Sequence, residues 1–191
     1  MTTRNLFVAA GAAALLLVGA CKKDDSKKAE PAPTPTAPQP TAKAPAPAGD
    51  DAVAAVAAIL GPYDTCRALL SEDKTDGLAD CAGALAAAAT AQKAALPGEL
   101  QDRADAIAAG AAQMAAAGDL EAARVAFAKT SEPIVGLLAA VPDAAKHFHV
   151  FECPMAKNYK RWAQASPELA NPYMGSKMQT CGSEVSPGKD G

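Results

Sequence analysis

The side chains best suited to chemistry are concentrated in one part of this chain, residues 147–181. This segment holds both histidines, two of the five cysteines and three of the five methionines. Thiolate and thioether sulfur are the ligands that Cu(I) prefers, and imidazole beside thiolate suits zinc or copper. The candidate metal ligands are the sulfur residues Cys153, Met155, Met178 and Cys181, with His147, His149 and Met174 as weaker candidates.

The spacing of these residues is compatible with a shared site. Met178 and Cys181 are three residues apart, which is close to one turn of helix or a tight turn. If residues 147–153 are extended, His147, His149 and Cys153 share one face, because side chains alternate along a strand. A soft-metal site is therefore one interpretation of the segment.

A purely structural interpretation of the same residues stays open. A disulfide between Cys153 and Cys181 would close a loop of about 29 residues and contribute roughly 3–4 kcal/mol. The methionines would then be core residues, which is their commonest role. Cys66 and Cys81 are a second candidate disulfide, closing about 16 residues and contributing roughly 3 kcal/mol. Both disulfides require an oxidising compartment.

The sequence contains no recognisable catalytic arrangement. It has no C-x-x-C pair for thiol exchange, no glycine-rich phosphate loop and no serine nucleophile elbow. A catalytic cysteine would need an activating base and a substrate pocket, and nothing in the sequence marks a pocket. We therefore expect that the protein is not an enzyme.

Residues 1–20 are typical of a signal peptide. Arg4 precedes the apolar run 6–19, which is shorter than the roughly 20 residues of a membrane span. The small residues Gly19 and Ala20 directly before Cys21 resemble a bacterial lipoprotein signal. The resemblance implies cleavage before Cys21 and lipidation of that cysteine, which anchors the protein in the cell envelope facing the periplasm. Lys22 favours the outer membrane.

The elements after the anchor divide into a linker and one folded domain. Residues 21–49 are the lipidated cysteine and a Pro/Ala-rich tether that we expect to be disordered, because it has no large apolar residue to bury. Residues 50–191 carry 12 basic and 18 acidic residues, a net charge of −6, which argues against a nucleic-acid partner. We predict a helical bundle at 50–146, a C-terminal cap at 147–182 and a disordered tail at 183–191.

The predicted fold class is all-α. Apolar residues recur at helical spacing in four stretches joined by short loops, which favours an up-and-down bundle with an irregular cap. The first helix should begin at Asp50 or Asp51, and Asp119 should cap the fourth. The apolar pattern continues across Pro62 and Pro133, so we predict kinks there rather than breaks. Trp162 should be buried where the cap meets the bundle. Neither histidine lies in these helices, which excludes a di-iron site of the Glu-x-x-His type.

Three motifs of the C-terminal segment resemble a known family. They are CPMA at 153–156, W-x-Q at 162–164 and NPY-x-G-x-x-M-x-x-CG at 171–182. The family is a bacterial exported helical domain of unassigned function, found alone in lipoproteins and fused to periplasmic adaptors of copper and silver efflux pumps. The resemblance covers roughly residues 51–184 and implies metal-efflux or other envelope proteins as partners. Cys66 and Cys81 lie outside its pattern.

Two functions follow as hypotheses. One is a lipid-anchored protein that binds a soft ion such as Cu(I), for buffering or for delivery to efflux. The other is a structural or protein-interaction module without metal, cross-linked at both cysteine pairs. The distance between the sulfurs of Cys153 and Cys181 separates them. About 2 Å indicates a disulfide. A longer distance, with Met155 or Met178 converging on the same point, favours metal.

Overall fold

The structure is a computed structural model that describes residues 49–188. The predicted signal peptide, the predicted lipidation site Cys21 and nearly all of the predicted tether lie outside the described residues. Residues 189–191 also lie outside them.

Four long helices make up most of the described chain. They are α1 (Asp50–Ser71), α2 (Leu78–Gln92), α3 (Gly98–Ala115) and α4 (Leu120–Ala140). A 3₁₀ turn at Lys93–Ala95 follows α2, and the short α5 (Pro142–Ala145) follows α4. Each long helix packs mainly on the next one in sequence, which is the packing order that an up-and-down bundle requires. The fold is therefore mostly helical, as predicted.

The local sequence explains where these helices run. The α1 helix begins at Asp50, and both α1 and α4 continue unbroken through Pro62 and Pro133. The bends at these prolines stay a prediction. The Asp119 carboxylate accepts a hydrogen bond of 2.8 Å from the Ala122 amide, so the predicted N-cap of α4 is confirmed.

Small residues set the spacing between α3 and α4. A methyl group at Gly110 would overlap the Thr130 hydroxyl on the facing helix. Alanines such as Ala104 and Ala111 bury fully on the same side of α3. The two helices therefore approach closely. Because these side chains are small, each contact between them buries little apolar area.

The cap contains a small β-sheet, which corrects the all-α prediction. Its strands are β1 (His149–Glu152), β2 (Arg161–Gln164) and β3 (Ser183–Val185), in the antiparallel order β2-β1-β3. The strands form because these stretches carry branched and aromatic residues that pack well on a pleated surface. Runs of three or four residues are too short to show the alternation of a strand, so no periodic pattern marks these strands in the sequence. The prediction of a disordered tail from residue 183 is also wrong where β3 forms.

A row of aromatic rings joins the bundle to the sheet. Tyr63 on α1 stacks on Phe127 of α4, with ring centroids 4.9 Å apart. Phe127 meets Tyr173 edge-on, and Tyr173 meets Trp162 edge-on, each at 5.8 Å. Trp162 in turn stacks on Phe151 of β1 at 5.7 Å. The predicted burial of Trp162 is confirmed, and the cap is packed onto the bundle through α4.

By length and composition, α1 is the one helix of the described chain that is long and apolar enough to cross a membrane. Core helices of soluble domains meet the same criterion, and Ile59 and Leu60 of α1 are fully buried in the bundle. This finding is weak evidence for a membrane span.

Candidate functional site

The structure brings Cys153 and Cys181 together at the end of the sheet where Glu152 of β1 pairs with Ser183 of β3. Cys153 follows β1, is fully buried, and its amide donates a 3.0 Å hydrogen bond to the Lys160 carbonyl. Cys181 precedes β3 and is partly exposed. Their sulfur atoms are 3.1 Å apart and are not bonded. We call this pair the cap dithiol.

The second cysteine pair is different. Cys66 on α1 and Cys81 on α2 form a disulfide with a Cα–Cα distance of 5.6 Å, inside the core between the two helices. The predicted pairing of these two cysteines is confirmed. They therefore serve the scaffold, and the cap dithiol holds the thiols available for chemistry.

The electrostatics of the cap dithiol favour the protonated form of Cys181. The hydrogen bond with Cys153, followed by burial, raises the pKa of the Cys181 thiol above its usual value. A raised pKa means that the thiol form dominates at neutral pH. An ion that binds here must therefore displace protons, so its affinity rises with pH.

None of the three predicted methionine ligands is buried. Met155 and Met178 have exposed fractions of 59 % and 42 %. Met155 and the half-buried Met174 line one surface pocket, and neither cysteine is among the residues that line it. Met155 lies two residues after Cys153, and Met178 three residues before Cys181. Exposed thioethers with three rotatable bonds can reorient at little cost.

The two histidines do not join the dithiol. His147 is exposed in a turn before β1, so the predicted extended run that aligned it with His149 and Cys153 is wrong at its first residue. The Nδ1 atom of His149 lies 2.7 Å from a carboxylate oxygen of Glu184 on β3. Sequence reasoning missed this partner, because it sits 35 residues away on an unpredicted strand. Within residues 49–188, no group of three or more His, Cys, Asp or Glu side chains is placed to hold a metal ion.

The NPY-x-G motif has a structural explanation in the hydrogen bonds of Asn171. Its side-chain oxygen accepts from the amides of Tyr173 at 2.8 Å and Met174 at 3.1 Å, which forms a tight turn. Its side-chain nitrogen donates at 2.6 Å to the carbonyl of Cys181. Asn171 therefore fixes the backbone beside one sulfur of the dithiol.

A polar clamp fastens this turn to the bundle. Asp73, in the loop after α1, accepts hydrogen bonds from the Arg124 guanidinium and from the amide and hydroxyl of Ser176. These bonds, those from Ser176 first, lower the pKa of Asp73 to about 2. Arg124 also donates to the Pro172 carbonyl at 2.8 Å. The clamp joins residues 48 or more positions apart, and the sequence contained no signal of it.

Gly175 is required for the clamp. Its φ of 57° lies in the left-handed region, and a methyl group there would overlap both the Asp73 carboxylate and the Arg124 guanidinium. The glycine of the motif is thus a packing requirement.

Comparison with known proteins adds no assignment, because no family model, no curated protein and no solved structure matches this chain. The family resemblance of the C-terminal motifs therefore stays a prediction.

Proposed function

We propose that the cap dithiol binds a soft metal ion such as Cu(I), in a lipid-anchored protein of the bacterial cell envelope. The observation that carries this proposal is the pair of sulfurs 3.1 Å apart and unbonded, in a protein whose other cysteine pair is bonded. Thiolate is the strongest soft ligand that proteins offer. The buffering of such an ion, or its delivery to an efflux system, would follow from this site.

The distance between the two sulfurs supports the proposal. Metal–thiolate bonds of about 2.3 Å at a tetrahedral ion place two sulfurs about 3.8 Å apart. The dithiol reaches that distance by opening about 0.7 Å from its present one. A disulfide of about 2.05 Å would require it to close by about 1.0 Å. Opening is the smaller movement, and Cys181 lies in a loop at the protein surface.

The neighbouring residues support it by elimination. Burial, hydrogen bonds or the polar clamp explain why the other motif residues have their side-chain types. These residues are Trp162, Gln164, Asn171, Tyr173 and Gly175. Packing does not account for the exposed thioethers that flank the dithiol in sequence. Met155 and Met178 would supply the additional sulfur ligands by turning toward the ion, because no histidine or carboxylate of the described chain does so.

The test is a titration of the reduced protein lacking residues 1–21 with Cu(I), in competition with a Cu(I) chelator. We expect uptake of about one equivalent, with affinity rising with pH because protons are displaced. The double change Cys153→Ser with Cys181→Ser should abolish competition. Met155→Ala and Met178→Ala should each weaken it less.

The matched control is the change Cys66→Ala with Cys81→Ala, which removes the other two cysteines of the domain. This variant should keep its Cu(I) uptake. If the reduced wild type takes up no Cu(I), or if only the Cys66 and Cys81 variant loses uptake, the dithiol is not a metal site.

The second candidate is a cross-linked structural or interaction module without metal, because the same two sulfurs would form a disulfide by closing about 1.0 Å. Closing the dithiol would join residues 28 positions apart. The chain-entropy model then gives roughly 3–4 kcal/mol of stabilisation. Thiol counting separates the two functions. The module predicts no titratable thiol in the unreduced protein, and the metal site predicts two.

A further inference from the structure

A surface pocket beside the cap is lined by two of the three large apolar side chains that are exposed in the described residues. Its volume is about 360 Å³. We call it the Met155 pocket, and it is lined from α4 by Val125, from the loop after β1 by Met155 and Lys157, and from the region before Cys181 by Met174 and Lys177. Three separate segments of the chain therefore meet at this pocket.

The apolar side chains at this pocket are unusual for the domain. In residues 49–188, only three large apolar residues are exposed, namely Val125, Met155 and Met178. Val125 and Met155 line the pocket. Met178 directly follows Lys177, which also lines it. Scattered exposed apolar residues need no explanation, but a cluster around one cavity is typical of an interaction site. Methionine suits such a site because it repacks around different partners.

The charge of the rim is opposite to that of the domain. The side-chain ammonium groups of Lys157 and Lys177 have no ion pair or hydrogen bond within the described residues. Arg124 also lines the pocket, but its guanidinium is already bound by Asp73. Glu121 is the one acidic residue in the lining. Since residues 50–191 carry a net charge of −6, this rim is a local positive region on an acidic protein.

We propose that the Met155 pocket binds an acidic linear segment of a partner protein. One large apolar side chain of that segment enters between Val125, Met155 and Met174, and its carboxylates pair with Lys157 and Lys177. The volume lies at the low end of ligand cavities, about 300–1,000 Å³, which suits one or two side chains rather than a large cofactor. This proposal does not depend on metal binding at the dithiol.

The test is an NMR titration of the metal-free chain lacking residues 1–21, with synthetic peptides of about ten residues. The first peptide carries a central leucine pair flanked by glutamates. In the second, lysines replace the glutamates, and in the third, serines replace the leucines. We expect amide shifts around the Met155 pocket with the first peptide only, and a loss of affinity at higher salt.

Variants locate the binding surface. Met155→Ser and the pair Lys157→Glu with Lys177→Glu should each weaken binding of the first peptide about tenfold, which corresponds to about 1.4 kcal/mol. Met178→Ser is the matched control for the thioether, because this exposed methionine does not line the pocket. It should leave the affinity unchanged.

Lys129→Glu, on the exposed side of α4, is the control for charge and should have little effect. Equal binding of the acidic and basic peptides, or equal losses in the control variants, would overturn the proposal. Vesicles containing anionic lipid provide a further arm. If they bind through Lys157 and Lys177 and the acidic peptide does not bind, the surface recognises a membrane and the proposal is wrong. Each variant should keep the wild-type melting temperature within about 2 °C. Met155→Gln replaces Met155→Ser if the serine variant does not.

Discussion

The disulfide between α1 and α2 should provide much of the stability of this alanine-rich bundle. Cys66 and Cys81 are 15 residues apart in sequence. In the chain-entropy model, a cross-link of that length contributes about 3 kcal/mol by restricting the unfolded chain. For a domain of this size, each kcal/mol corresponds to about 3–4 °C in Tm. Removal of the bond should therefore lower the Tm by about 10 °C.

The best perturbation is the double change of Cys66 and Cys81 to alanine. Both side chains are buried, so serine would add the cost of burying a hydroxyl group. Thermal and urea unfolding should be measured together. If the effect lies in the unfolded state, the denaturant m value should rise, because the chain without the cross-link expands further.

The control is the wild type with its disulfide reduced in the unfolded state and then refolded under reducing conditions. It should match the alanine variant within about 1 kcal/mol, allowing for the small loss of packing. A Tm change below about 2 °C for the double variant, with an unchanged m value, would refute the reasoning. The folded bundle would then owe its stability to packing alone.

Two further predictions concern the polar clamp. Gly175→Ala should destabilise the domain by about 2–3 kcal/mol in urea unfolding, because it combines a positive φ with overlap at Asp73 and Arg124; a loss below about 0.5 kcal/mol would show that the clamp is not rigid. The pKa of Asp73 is lowered in the folded state, so its stabilisation is present above about pH 4 and is lost as pH falls toward 2. Because 31 % of its side chain is exposed, we expect about 1 kcal/mol. Asp73→Asn should remove that part of the acid dependence, and an unchanged pH profile would contradict the assignment.

The four helices were predictable because their signals are local. An apolar period of 3.6 residues persists over 15 or more residues in each, and Asp119 precedes α4 as a cap. The pairing of Cys66 with Cys81 was predictable for the same reason, since a short loop joins two helices whose apolar faces carry the thiols. The burial of Trp162 followed from its size and from the polar character of most of the chain around it.

The cap was less predictable because its structure depends on contacts between distant residues. The register that places Phe151 opposite Trp162 and Glu184 is fixed across two chain reversals, and no single strand is long enough to show it. The approach of Cys153 to Cys181 follows from that register. The sequence identified the sulfur residues as candidate soft-metal ligands, but the turn after Cys153 decides that Met155 lines the surface pocket. The direction in which such a side chain points is set by tertiary packing.

The order of the strands has a consequence for how the protein matures. The central strand β1 is completed on one edge by β2 and on the other by β3, which lies at the far end of the described chain. Cys66 and Cys81 lie on two helices joined by a short loop, so their pairing does not require the cap. Both are buried between these helices, which shields their disulfide from attack by another thiolate. The cap dithiol, in contrast, depends on the pairing of β3 with β1, because each of its cysteines lies within two residues of one of these strands.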